Sequence, residues 1–347
     1  QKGNLPPIRF PKSIKNESLM RIDNSTRKSL EINETLDGNK KGSLIDSVDM
    51  TLTAVGARQL DKDISAPLTS PEEINSRLDM IEFLIDKNKV RENIRKTLKS
   101  SADIDRAKAR VVLSRGGPRD IKSIKLGIEA AHNLDNFLDK NIPKGFITIK
   151  NNLGQCYELL NTLTDILSEN LPLFVKDGGF VKKGYSKELD EVRSFRDQSR
   201  QHILEMEAEE KIKTGLTSLK IKYNNVIGYF FEVTQLQKTK FLETKHSERF
   251  IPRQSLKGAA RFVTESLSQL SESISNAAEQ AIDIELRIFE EVKTLITNQH
   301  DALANISHAL SRLDVVSSLA EVSMLNSFVR PSILDDQSLQ IIGGRHP

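Results

Sequence analysis

The stretch Leu219-Lys220-Ile221-Lys222-Tyr223-Asn224-Asn225-Val226-Ile227-Gly228-Tyr229-Phe230-Phe231-Glu232-Val233-Thr234 breaks the period of everything around it. Leu219, Ile221 and Tyr223 alternate with Lys220 and Lys222, and Asn224-Asn225 supplies a turn. Tyr229, Phe231 and Val233 then alternate with Phe230, Glu232 and Thr234. Period-two alternation on both sides of a turn predicts a β-hairpin. Two strands alone are marginal, so the residues up to about 263 are expected to complete a small sheet.

On either side of this island the pattern is helical. A strongly charged helix begins at Ser186 and stops near Thr214-Gly215, with a narrow seam of Leu189, Val192, Phe195, Ile203 and Met206. A seam that thin packs against one neighbour and leaves the rest in water. After Gly258 there is neither Gly nor Pro until Pro331, and Leu267, Leu270, Ile274, Ala278, Ala281, Phe289, Val292 and Ile296 form one stripe. Such a run predicts a coiled coil or a strut, and a helix of about 40 residues reaches roughly 60 Å. Placing the two long helices antiparallel puts the sheet at the tip of a helical arm. The expected fold class is mainly α, a long-helix body with a small β-containing element inserted at that tip.

Working back toward the start, residues 1–45 read as loop and short elements, punctuated by Leu5-Pro6-Pro7, Phe10-Pro11 and the turn-rich Leu36 to Gly42. From Ser43 onward helix follows helix. Ser70-Pro71-Glu72-Glu73 is a helix start, with Ser as N-cap and Pro in the first turn. Gly116-Gly117-Pro118 breaks the chain, further helices are expected over about 120–140 and 150–170, and Asp177-Gly178-Gly179 marks another turn.

The length of 347 residues predicts two or three units. Aromatics are 5% of the chain and Trp is absent, a composition suited to long, solvent-washed helices rather than a compact aromatic core. Net charge is only +3, but its distribution is uneven. From Thr214 to Val263, nine cations stand against three anions, giving +6 and leaving the rest of the chain at −3. A basic element at the end of an arm suits a polyanion whose charges recur along a rod. Lys257-Gly258-Ala259-Ala260-Arg261 strengthens the reading, because small residues let backbone approach a phosphate between two cations. No recognition helix, zinc finger or aromatic stacking platform accompanies it. Tyr223, Tyr229 and Phe230 are read as sheet core. The expected contacts therefore position DNA without reading its sequence. The candidate DNA-binding residues are Lys220, Lys222, Asn224, Lys240, Arg253, Lys257 and Arg261, with Lys220 and Lys222 sharing one face of a strand.

No catalytic set is found. A phosphate-binding G-x-x-x-x-G-K-[ST] loop is absent. His132, His202, His246, His300, His308 and His346 are scattered without metal-ligand spacing. The lone Cys156 is read as a packed small hydrophobe, and Glu209-Glu210 as a charged helix face. Asp103-Ile104-Asp105-Arg106, with Lys108 and Arg110, reads as a salt-bridged helix rather than a metal motif. No catalytic, cofactor-binding or metal-binding residue is therefore assigned. No apolar run approaches the roughly 18 residues that span a bilayer and no signal peptide opens the chain, so an intracellular soluble protein without a membrane partner is expected. The chain begins at Gln1 and ends at Pro347 just after a motif, so it is expected to be a piece of something larger.

Ordered blocks along the chain carry a resemblance. Asp23 with Thr26 and Leu30-Glu31, then Thr51 through Gly56 with Arg58, Leu60 and Pro67, are followed by Asp103-Ile104-Asp105-Arg106 with Arg110 and Pro118-Arg119-Asp120. Val175 to Gly179, Gly184-Tyr185 and Leu189-Asp190 come next. Leu219-Lys220, Tyr223-Asn224 and Gly228-Tyr229-Phe230 precede Arg253-Gln254-Ser255-Leu256-Lys257 and Arg261-Phe262, and Gly344-Arg345-His346-Pro347 closes the series. Together they resemble the MutS family of DNA mismatch-repair proteins, in its bacterial or organellar branch. Two positions depart from its pattern: Gly258 stands where the family has Asn, and Asp63 where it has Trp.

The resemblance implies a division into a first part of the core and lever domain (1–185), a helical arm with a β-rich DNA clamp (186–263), returning lever helices (264–330) and the start of an ATPase domain (331–347). It implies a segment that holds duplex DNA, mismatched duplex included, by nonspecific backbone contacts and couples the clamp to the ATPase. ATP and Mg would belong to the parent protein's ATPase domain, with no cofactor in this chain. Further partners would be a second copy of the parent protein and a MutL-type protein. The location would be the bacterial cytoplasm, nucleoid-associated, or an organelle in a eukaryotic source. Two other readings stay open, a MutS-family recombination role without mismatch repair and a coiled-coil scaffold without a DNA role, which the basic tip disfavours.

Overall fold

The structure is a computed structural model that describes residues 18–138, 142–243, 245, 247–336 and 338–346. Leu5-Pro6-Pro7, Phe10-Pro11, His246 and Pro347 lie outside the described residues. The chain is mainly helical and carries one small antiparallel sheet, as its two sequence periods predict. It divides into two compact units, Gln1–Leu167 with Val292–Pro347, and Ser168–Glu291.

The first unit contains α1 (Asn24–Ser29), α2 (Leu44–Val48), α3 (Ala54–Ser65), α4 (Pro71–Asp86), α5 (Asn88–Lys99), α6 (Ile104–Val112), α7 (Pro118–Phe137), α8 (Lys144–Leu153) and α9 (Tyr157–Ile166). The second contains α10 (Lys187–Thr214), β1 (Lys220–Asn224), β2 (Gly228–Thr234), α11 (Gln235–Leu242), β3 (Ile251–Ser255) and β4 (Ala259–Val263). The boundary at Val292 falls inside α12 (Glu265–Asn298), and α13 (His300–Leu325) completes the first unit.

Helix starts obey local chemistry. The Ser43, Thr53, Ser70, Asp103 and Ser186 side chains each accept a hydrogen bond from an N–H in the first turn that follows. One expectation is corrected. The helix expected over 150–170 is two helices, because Cys156 takes a left-handed backbone with φ 64° between α8 and α9. The long run after Gly258 forms two helices, which part at Gln299 without help from Gly or Pro. Asn298 is a poor helix former there, and Gln299 leaves the helical region at φ −95°, ψ 19°.

In the first unit α13 is the axis, with α3, α4, α5, α6, α7 and α8 packed around it. Its buried Asp314 holds the chain that leads into α3. The Asp314 carboxylate accepts from the Leu52 N–H at 3.0 Å, the Thr53 N–H at 2.8 Å and the Thr53 hydroxyl at 2.6 Å. Burial raises the Asp314 pKa, while those three donors work against the rise. Gly56 is needed beside it, since a Cβ there would collide with the same carboxylate. The Thr51 to Gly56 block is thus a packing device.

In the second unit α10 and the first part of α12 run antiparallel. Glu188 pairs with Arg287 at 2.9 Å near one end, while Ile203 shares a buried cluster with Leu267 and Ile274 nearer the other. The buried Glu285 accepts from Arg193 and from the N–H groups of Gly179 and Phe180, at 2.8 to 2.9 Å. Phe195, expected in the α10 seam, is instead 52% exposed. The sheet, in strand order β1-β2-β4-β3, follows α10 and precedes α12 in the chain. Its buried face carries Leu219, Phe231, Val233, Ala260 and Phe262, closed by Phe241 from α11 and by Phe250. Phe231, Phe250, Phe241 and Phe262 pack ring to ring with centroids 4.9 to 5.0 Å apart. The second unit thus has a small aromatic core of its own, which the compositional reading did not anticipate.

Each sheet edge is interrupted at one point. The Ile221 N–H on edge strand β1 donates to Glu207 of α10 at 2.7 Å. On edge strand β3, Pro252 lacks a donor and the pairing shifts between Pro252 and Gln254, leaving Arg253 as a bulge. Burial tends to raise the Glu207 pKa, but hydrogen bonds from Lys211 and the Ile221 N–H more than offset it, and the pKa is lowered.

Two outcomes follow. Asp314→Ala, which strands three part-buried donors, should destabilise the chain by about 2–4 kcal/mol in urea unfolding, and an unchanged midpoint would contradict the role given to Asp314. The depressed Glu207 pKa means that its anchor contributes fully above the ordinary glutamate value of 4.5 and is lost as pH falls through the folded value. Acid titration followed by tyrosine fluorescence should report a transition below that value, and Glu207→Gln should diminish it. Superimposable acid profiles would rule the anchor out.

Candidate nucleic-acid interface

The sheet register sorts the candidate residues. Lys220 lies opposite Glu232, Lys222 opposite Phe230, and Glu232 opposite Arg261. Side chains alternate along each strand, so Lys220, Lys222, Asn224, Phe230, Glu232 and Arg261 share the outer face, away from the aromatic core. Lys220 and Lys222 are both exposed there, as period two predicts.

The cations on this face are not equivalent. Lys222 Nζ donates to Glu232 Oε1 at 2.6 Å, and Arg261 Nε to Glu232 Oε2 at 3.3 Å. Arg261 Nη1 also donates to Gln254 Oε1 at 2.8 Å, and its guanidinium lies 4.6 Å from the Phe230 ring centroid. Phe230 is buried, but on the outer face beneath Arg261 rather than in the aromatic core. Tyr223, expected in the core, is 60% exposed and rests against Tyr229, centroids 5.1 Å apart.

Asn224 closes the hairpin. Its Oδ1 accepts from the N–H groups of Val226 and Ile227 at 3.0 and 2.8 Å. The turn is pinned to α12, where Ser271 Oγ accepts from the Tyr229 N–H at 3.2 Å. Gly228 has φ +79°, and a Cβ there would lie 2.6 Å from Ser271 Oγ, so this position needs glycine.

Arg253 and Lys257 form a second group along β3 and its turn into β4, both exposed. Leu256 N–H donates to the Ala259 carbonyl at 2.8 Å to close that turn, and the Gly258 carbonyl accepts from the Gln235 N–H at 3.1 Å. Ala259 and Ala260 pair with β2 and β3, and Ala260 is buried. The small residues Ala259 and Ala260 therefore serve strand packing, and Leu256, Lys257 and Gly258 stand exposed at the turn. Lys240 is not brought to the outer face, because α11 packs through Phe241 on the core side.

Sequence reasoning missed Glu232 as the group that organises the outer cations. It also missed Lys238, whose Nζ reaches Ser255 Oγ at 3.4 Å. Glu210, read with Glu209 as a charged helix face, is buried and pairs with Arg249 at 2.6 Å. One signal was present: Glu232 is the sole carboxylate at an outward position of β1, β2 or β4.

Other chemistry is sparse. Among the described residues no cluster of His, Cys, Asp and Glu could hold a metal ion, and no helix is long and apolar enough to cross a membrane. Cys156 is half-buried and burial pushes its thiol up to about 11, so it stays protonated at neutral pH. Asp63, one of the two departures, pairs with Arg312 and, at 3.5 Å, with Arg77.

Comparison with known proteins bears on this geometry. The family model for MutS domain III matches residues 25–320. The DNA mismatch repair protein MutS of Nitrobacter winogradskyi is 40% identical over 352 aligned residues, which cover 100% of this chain and 39% of that relative. The chain thus spans well under half the length of the relative it matches. The match to the domain runs through both units and the whole sheet, and the chain belongs to the MutS family, within which it corresponds to domain III.

Proposed function

We propose that this chain is the lever and clamp segment of a MutS-type mismatch-repair ATPase, and that it holds duplex DNA through backbone contacts without reading sequence. One observation carries the reading: Lys220, Lys222 and Arg261 lie in register on one outward sheet face, with Arg253 and Lys257 exposed on the adjoining edge and turn. Phosphates recur along a duplex, and a row of cations on a rigid sheet matches that recurrence without donors or acceptors arranged for base edges. Asn224 supports the hairpin through its carbonyl oxygen, and Lys240 stands apart on α11, so the core of the proposed contact is Lys220, Lys222, Arg253, Lys257 and Arg261.

In the whole protein, a separate region would read the mismatch, and ATP with Mg would bind a separate ATPase domain. The long helices would relay nucleotide state to the clamp. Dimerisation of the parent and recruitment of a MutL-type partner belong to the same proposal, as does a bacterial cytoplasmic, nucleoid-associated location. The family membership and the placement of the cations support this reading.

The test is binding of this chain to matched and single-mismatch duplexes across a salt series. Equal binding to both, weakening steeply with salt, is expected. A clear mismatch preference would overturn the division of labour, and no binding at low salt would overturn the DNA-holding role. Lys257→Ala should weaken binding to all sequences alike and reduce the salt slope by about one. An unchanged slope and affinity would remove Lys257 from the contact.

A further inference from the structure

Glu232 occupies the centre of the outer face, between Lys220 on β1 and Arg261 on β4. Its two oxygens are divided between two cations, Oε1 to Lys222 at 2.6 Å and Oε2 to Arg261 at 3.3 Å. Its side chain is 17% exposed, whereas that of Lys222 is 51% exposed. The carboxylate therefore lies low on the sheet with a cation reaching toward it from each side. Glu232 is not a structural anchor like Glu207 or Glu210, which tie the sheet region to α10. Its partners are the same cations that the proposed DNA contact uses.

We propose that Glu232 is a specificity-setting residue of this face, an internal competitor that holds Lys222 and Arg261 until closely spaced phosphates displace it. The inference rests on the DNA-holding reading above and names how that grip is limited. A phosphate approaching Lys222 replaces one charge-assisted hydrogen bond with another, so its net gain is less than from an uncompensated lysine. An isolated anion gains little from the exchange. A polyanion that engages Lys220, Lys222 and Arg261 together recovers the loss through several contacts made at once. The face then favours a continuous phosphate backbone over single anions and keeps the grip weak enough to release. The Lys222 hydrogen bond, followed by that of Arg261, holds the Glu232 carboxyl below the usual glutamate range, so the competitor is ionised at neutral pH.

The test is Glu232→Gln in this chain, with matched duplex binding measured by fluorescence anisotropy across a salt series and thermal melting run in parallel. Binding should tighten roughly three- to tenfold at low salt, with the salt slope steeper by about one and the gain fading as salt rises. Inorganic phosphate should also compete more effectively for the variant than for the parent chain. Wild-type binding with equal or weaker binding by a normally melting variant overturns the competitor role and leaves the DNA-holding reading standing. Failure of the wild-type chain to bind duplex overturns the reading beneath it. Should the variant not fold, lysine-selective labelling of the wild-type chain decides: the Lys222 ammonium signal should shift on adding duplex as its partner changes, and an unmoved signal under saturation overturns the proposal.

Discussion

A four-stranded sheet is too small to bury both of its faces, and the second unit is organised around that constraint. One face is committed to an aromatic core, in which Phe241 and Phe250, outside the strands, close over Phe231 and Phe262. The other face is left mainly polar, with Phe230 buried beneath Arg261 as its apolar exception. The commitment also fixes which residues appear there, because alternation sends Lys220, Lys222, Glu232 and Arg261 outward once Ile221, Phe231 and Phe262 are drawn in. The edges obey the same economy. Glu207 takes the outward N–H of Ile221, and Pro252 with the Arg253 bulge interrupts β3, so each edge is broken at one point as a template for pairing.

Charge on this element is consequently ordered rather than merely abundant. Nine cations stand between Thr214 and Val263. Arg249 is committed to the buried Glu210, while Lys222 and Arg261 share Glu232. A count of basic residues treats these as equal to Lys220 or Lys257, although their surroundings differ. Arg249 stabilises the junction with α10, since removing it would leave the buried Glu210 with only the longer contact to Lys213 at 3.7 Å. Lys222 and Arg261 are held in place at some expense of their attraction for other anions. The +6 excess thus overstates the charge that an approaching phosphate meets, and the arrangement matters more than the sum.

The hairpin was readable because its evidence is local: alternation, an Asn-Asn turn and a glycine that closes it. The start and stop of α10 were readable for the same reason, from Ser186 as a cap and Gly215 in a left-handed conformation. What escaped was non-local. Arg261 meets Glu232 only because β4 pairs with β2, strands separated by α11 and β3, and periodicity does not reveal that order. Phe241 and Phe250 lie outside any alternating run, so their place in the core could not be read. Glu210 sits on a helix that is charged on most sides, where burial of one carboxylate leaves no compositional mark. The break at Gln299 has no Gly or Pro, and the turn at Cys156 places a left-handed backbone on a residue that rarely adopts it.

The sequence blocks that carry the family resemblance fall into two physical kinds. In the first unit they are largely devices of assembly. Thr53 caps α3, Gly56 clears space for Asp314, Asp103 caps α6, and Arg110 reaches Asp120 at the start of α7 at 3.0 Å. In the second unit the blocks alternate between purposes. Tyr223 and Asn224 shape the hairpin and Phe262 fills the core, while Lys220, Lys257 and Arg261 face outward. Recurrence of a motif therefore does not identify a ligand contact by itself. Changes in the first kind of block act through stability, because they strand a buried donor or fill a cleared space. Changes on the outer face alter what the surface attracts while leaving the aromatic core intact, and that separation would let the proposed grip on a polyanion be tuned without unfolding the element that carries it.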